Sequence, residues 1–201
     1  MANINAPFGF TPIGTVGGST PNFRMTRLYI SPSLGSQIFT GDAVQMVTGA
    51  ATGFIIPAVA NTTSIAGIFW GCLYLSTAAG RMVWSPVWPG AGDANVNVNV
   101  VAYVFNSPDT EFEVQAGATA IGTQYLYENV ALNVGAGGNL QTGRSGMFVN
   151  TPANTATLPF TITGFVTDPT GVNGTDITTP FNLVRVTFNN AVLRAGLTSI
   201  S

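Results

Sequence analysis

Short runs rich in Val, Ile, Phe, Tyr and Thr recur along nearly the whole chain, with Gly, Pro, Asn and Asp between them. This spacing decides the fold class. The runs are FRMTRLYI at 23–30, AVQMV at 43–47, FIIPAVA at 54–60, IAGIFWGCLYL at 65–75, RMVWSPVW at 81–88 and NVNVNVVAYVF at 95–105. They continue with TEFEVQ at 110–115, QYLYENV at 124–130, GMFVN at 146–150, LPFTITGFV at 158–166 and FNLVRVTFNN at 181–190. β-branched and aromatic side chains suit a pleated, half-buried surface, and the residues between the runs are turn formers. The reading is a single all-β domain, an antiparallel β-barrel or sandwich with a jelly roll among the options. Its sheet edges need protection by assembly. Helical periodicity is absent, apart from a short helical turn expected near 124–133.

The first twenty-two residues read differently. Pro7, Pro12 and Pro21 remove backbone donors, and Gly9, Gly14, Gly17 and Gly18 loosen the chain between them. Residues 1–22 are therefore expected to form an extended arm, with residues 23–201 forming the β domain. Phe8 and Phe10 are each worth about 2 kcal/mol if they find a pocket. An arm without secondary structure must borrow that pocket, from its own domain or from another subunit.

Composition limits the function classes. Only 7% of the residues are charged, Lys and His are missing, and the net charge is −2. Roughly a quarter is usual in a soluble domain, so little electrostatic repulsion keeps copies apart. Scattered arginines cannot neutralise a phosphate track, which argues against nucleic acid as a partner. The single Cys72 rules out an internal disulfide framework and, among apolar neighbours, reads as a buried structural thiol. The uncharged span 43–80 is apolar enough to resemble a membrane segment. Pro57 and Asn61-Thr62-Thr63-Ser64 divide it into pieces too short for a spanning helix, and no membrane partner is expected.

One strand hints at a contact surface. In NVNVNVVAYVF, Val96, Val98, Val100, Ala102 and Val104 share a face expected to be core throughout. The other face runs from Asn95, Asn97 and Asn99 to Val101, Tyr103 and Phe105. It passes from wet to dry, as a strand does when its far end slides beneath a loop, a sheet or a neighbouring subunit.

Little in the chain can do chemistry. Without His or Lys there is no imidazole-dependent triad, no histidine metal site, no Schiff base and no P-loop. Glu111 and Glu113 share a strand face at a spacing that glycosidases use, but Phe112 and Val114 claim the inward side and leave both glutamates in solvent. Asp168 and Asp176 flank an oxygen-rich loop that reads as a turn rather than a Ca²⁺ site. Neither an enzyme nor a cofactor is expected. Arg144, in GRSG, reads either as a clamp on a carboxylate across a subunit boundary or as an exposed loop arginine. Trp84 and Trp88, four apart around Pro86, would share a face on an extended segment. With Trp70 they would offer a sugar platform, or they would pack in the core or a subunit interface.

Several motifs occur in an order that resembles a family of capsid decoration, or cement, proteins of tailed bacteriophages. They are ANINAPFGF at 2–10, GDAV at 41–44, GIFWGCLY at 67–74, YVFNSPDTEFEVQ at 103–115, GRSGM at 143–147 and VRVTFNNAVLRAG at 184–196. The resemblance implies a structural virion protein on the outer surface of the head, a homo-oligomer with a trimer preferred to a dimer, stapling neighbouring capsomers of the major capsid protein. It implies a virion protein made in the cytoplasm of a bacterial host. Phe8, Phe10, Phe23, Arg144, Trp84 and Trp88 become the interface candidates. Removal of residues 2–21 is then expected to abolish capsid binding and spare the β domain. The alternatives are another virion part, such as a minor head or tail-tube protein, and a surface carbohydrate-binding module.

Overall fold

The computed structural model describes residues 3–18, 24–49, 53–166 and 176–193. It is a β-sandwich of two antiparallel sheets that do not close into a barrel. In chain order the strands are β1 (Thr11–Thr15), β2 (Thr26–Ile30), β3 (Ala43–Met46), β4 (Ile55–Pro57), β5 (Gly67–Ser76) and β6 (Arg81–Ser85). They continue with β7 (Val100–Phe105), β8 (Thr110–Gln115), β9 (Asn129–Asn133), β10 (Phe148–Ala153), β11 (Phe160–Phe165) and β12 (Leu183–Phe188). A 3₁₀ turn at Thr123–Tyr125 precedes β9. The first sheet has the order β1-β8-β12-β11-β9-β10 and the second β2-β7-β5-β3-β4, with β6 also paired to β5.

Alternation along the strands of the first sheet sends Phe112, Val114, Val130, Leu132, Ile162, Val184 and Val186 into the space between the sheets, where Ile68 and Phe105 of the second sheet meet them. Aromatic rings fill the centre. Phe10 stacks on Phe160 with centroids 4.5 Å apart, and Phe188 lies 5.8 Å from Phe160 and 5.2 Å from Phe112.

Phe10 comes from the segment expected to be a free arm. The structure corrects that expectation for the described part of residues 1–22. Thr11–Thr15 pairs with β8 as the edge strand of the first sheet, and Phe10 is completely buried in its own domain's core. The preceding residues are tied down as well. The Gln115 carboxamide accepts the Ala6 N–H at 3.0 Å and donates to the Ile4 carbonyl at 2.8 Å, while the Asn3 amide donates to the Asp176 carbonyl at 2.9 Å. Proline and glycine prevented a long strand but not a five-residue one with a register shift between Pro12 and Gly14. Gly9 makes the entry feasible. Its φ is +78°, and a Cβ there would stand 2.4 Å from the Ser145 Cβ.

The second sheet curls around a separate core. Val44, Ile55, Phe69, Cys72, Val100, Ala102 and Val104 line its inner face, and Trp88 and Ile38 from two loops close it. Trp88 is fully buried, meets the Tyr74 ring edge-on at 5.6 Å and donates its indole N–H to the Leu34 carbonyl at 3.1 Å. An isolated bridge from Tyr29 to Phe54 brings the two ends of the sheet close together.

The strand at 95–105 is shorter than its alternation suggests. Val96 is 67% exposed, because Asn95 accepts the Asn97 N–H through its side chain and the Val98 N–H through its carbonyl, folding the stretch into a turn before β7 begins. The expectation of a continuous core face therefore fails for Val96 and Val98. The wet-to-dry change on the opposite face is present: Val101 and Tyr103 are half-buried, and Phe105 is buried under the first sheet.

Candidate interaction surface

β5 is long enough to serve two environments. Along one edge it pairs with β3 through Ile68 and Gly67, and further on with β6 through Cys72 to Ser76. Its opposite edge pairs with β7, with a register shift between Phe69 and Gly71. The first sheet covers only the early half of the outer face. Beyond it, cross-strand register aligns Tyr29, Val101, Leu73 and Trp84 in one row and places Met82 opposite Leu75. Trp84 is 55% exposed, Tyr29 48% and Met82 47%. Together with half-buried Leu73, Leu75, Val101 and Tyr103 they form one contiguous apolar patch, of the kind that marks a contact site. The Arg27 guanidinium sits over the Tyr103 ring, 5.9 Å from its centroid, at one side of this surface.

At the covered end the surface runs into a cavity of about 240 Å³ lined by Phe8, Thr40, Trp70, Pro86 and Arg144 among others. Trp70 packs edge-on against Phe105 at 5.4 Å, and the Trp84 ring lies against Gly71, the next residue of β5. Arg144 is held by its backbone: its carbonyl accepts the Asn139 N–H at 2.9 Å, and its neighbours Gly143 and Ser145 bond to Thr40. The side chain is exposed at the cavity mouth. The structure thus brings Phe8 and Arg144 together, with Trp84 nearby. It takes Phe10 and Trp88 out of any outer contact, since both are fully buried. Phe23 lies outside the described residues.

Trp84 and Trp88 do not form a platform. β6 ends at Ser85, whose hydroxyl donates to the Val87 carbonyl at 2.6 Å and accepts the Val87 N–H at 3.1 Å, so the chain turns and delivers Trp88 to the inner core. The exposed row around Tyr29 and Trp84 escaped sequence reading because β2 and β6 are far apart in the chain. Only the register through β7 and β5 makes them neighbours.

No protein-family model, curated protein or solved structure matches this chain.

The remaining candidates are occupied by structure. Glu111 accepts the Thr163 hydroxyl at 2.6 Å. Glu113 stands across the ladder from Arg185, and burial pushes its carboxyl up against the pull of that cation. Asp168 lies outside the described residues, whereas the Asp176 carboxylate accepts both the N–H and the hydroxyl of Thr178, which hold its pKa down. Among the described residues no cluster of metal-ligating side chains occurs, and no helix is long and apolar enough to cross a membrane.

Cys72 is fully buried, and burial pushes its thiol up to about 12. It should resist a maleimide or disulfide reagent in the folded protein and react only on unfolding. Labelling at the rate of a free thiol under native conditions would contradict that placement.

Sequence reasoning overlooked one further group. Asp42, in GDAV, is buried beside a second cavity of about 260 Å³ between the sheets, lined by Phe39, Pro57, Val59, Val134 and Met147 among others. Its carboxylate accepts the Phe39 N–H at 2.7 Å and is hydrogen-bonded by Ser145. Desolvation outweighs both bonds and raises its pKa to about 6. Phe39 belongs to the turn whose Gly41 carbonyl accepts the Phe10 N–H, and Ser145 packs against Gly9, so the site reads as a structural junction beneath Phe10.

Proposed function

We propose that the protein is a structural component of a virus particle: a decoration protein that binds the outer surface of a tailed-phage head and staples neighbouring capsomers of the major capsid protein. The observation that carries this reading is the broad apolar outer face of the second sheet on a chain with few charges. Such a face is costly to leave in water and suits permanent burial against another protein. The motif order that resembles the cement family supplies the class of partner. A homo-oligomer, a trimer in preference to a dimer, fits the same role on a symmetric shell.

The interior position of Phe10 changes how attachment works under this reading. Contact comes from the folded surface rather than from a detachable arm. Electron cryo-microscopy of the particle, and of shells lacking this protein after it is added back, tests the proposal. The expected result is density for the β-sandwich outside the shell at the joints between capsomers. Density in the tail, or none on the particle, would overturn the decoration role.

A further inference from the structure

We infer that the outer face of the second sheet, with the adjoining Arg144 cavity, is the docking surface for a different protein whose contact region presents apolar side chains flanked by carboxylates. The inference rests on the proposal that the chain is a capsid-surface protein, and it adds the face and the chemistry of its partner.

Charge complementarity selects the occupant. The apolar row of Tyr29, Val101, Leu73 and Trp84 carries Arg27 at one side and reaches Arg144 at the cavity. Neither arginine has an ion-pair partner among the described residues. No Asp or Glu belongs to the face: its strand positions are Arg27, Tyr29, Val101, Tyr103, Leu73, Leu75, Met82 and Trp84. A second copy meeting this face with its own, as in a two-fold dimer, would offer the same apolar row and the same arginines, with no carboxylate to receive them; the head-to-tail contacts of a trimer join two different faces and are told apart by the self-association arm of the test. A partner with acidic groups around an apolar centre satisfies both features.

The apolar row spans four strands and supplies the centre of such a contact, and the cavity rim and arginines extend it. Trp84, the most exposed large ring of the row and the one that lies against Gly71 beside the cavity, is the residue whose loss should matter most.

The test uses the full-length protein and shells of the encoding virus that lack it, with binding measured by co-sedimentation at low and high salt. Thermal unfolding confirms that each variant is folded. Trp84→Ala should weaken binding about thirtyfold. The double variant Arg27→Glu, Arg144→Glu should weaken it about tenfold and flatten its salt dependence. Val16→Ala, an exposed apolar residue at the end of β1, should leave binding unchanged.

Binding that survives both Trp84→Ala and the arginine double variant unchanged would overturn the docking face and leave the decoration role standing. Wild-type protein that does not bind shells at all would overturn the decoration role, and this inference with it. Self-association abolished by Trp84→Ala would make a second copy the occupant and overturn the inference. So would flotation with phosphatidylglycerol vesicles that the arginine variant abolishes.

Discussion

Phe10→Ala should destabilise the folded protein by about 3–5 kcal/mol, the largest effect expected of any residue before β2. The ring has no solvent exposure, stacks on Phe160 at 4.5 Å and meets Phe112 edge-on at 6.4 Å. Its removal leaves a cavity at the centre of the aromatic cluster, walled by strands too well paired to collapse into it. Denaturant unfolding measures the loss. Phe8, which is only half-buried at the cavity mouth, should cost far less when replaced by alanine. The same logic reverses the expectation for deletion of residues 2–21: β1, Phe10 and the Gln115 contacts go together, so the deletion should compromise the β domain itself. A loss below about 1 kcal/mol for Phe10→Ala would show that the segment is peripheral after all.

That reversal marks a boundary of what sequence carries. Val, Ile and Phe runs between turn residues located the strands from β2 onward, because period-two burial is a local property; the exception is β9, whose expected run at 124–130 holds most of the 3₁₀ turn and meets the strand only at Asn129 and Val130. TEFEVQ matches β8 residue for residue, with Phe112 and Val114 inward. The residues before Phe23 gave the opposite impression, since three prolines and four glycines are poor strand formers. What makes Thr11–Thr15 a strand is non-local: a free edge on β8 and a hole that only a phenyl ring from this segment fills.

The same limit explains the tryptophans. Trp84 and Trp88 look equivalent in RMVWSPVW, and an extended chain would put them on one side. The Ser85 hydroxyl, bonded to both ends of Val87, turns the chain between them. One ring becomes core and the other surface. For the strand at 95–105, alternation was legible on both faces, but competition from the Asn95 turn was not, so the half-covered face was anticipated while its starting point was misplaced. The face then became recognisable as a site only when four strands were placed side by side.

The junction at Asp42 yields a second large effect, with the opposite sign. An aspartate whose folded pKa lies near 6 against an ordinary 3.8 binds its proton more tightly in the native state than in the unfolded chain. Between those values the native state holds more protons, so stability falls as pH rises and levels off above about pH 6. The difference corresponds to about 3 kcal/mol. An asparagine in its place would keep an oxygen for the Phe39 N–H and present an amide to the Ser145 hydroxyl while carrying no charge. Asp42→Asn should therefore stabilise the protein by about 1–3 kcal/mol at pH 7, the lower figure allowing for a Ser145 proton left to find another acceptor. At pH 4, where the aspartic acid is largely protonated in the native state and partly so in the unfolded chain, the gain should shrink toward zero. The decisive quantity is the difference between variant and wild type in unfolding free energy from pH 4 to pH 8, since Glu113, Asp93 and Asp176 titrate alike in both proteins and cancel. A difference that does not change with pH would mean that the carboxylate is not desolvated at this junction. One that grows toward acid would mean that the ion is favoured there, by a cation facing it across the cavity.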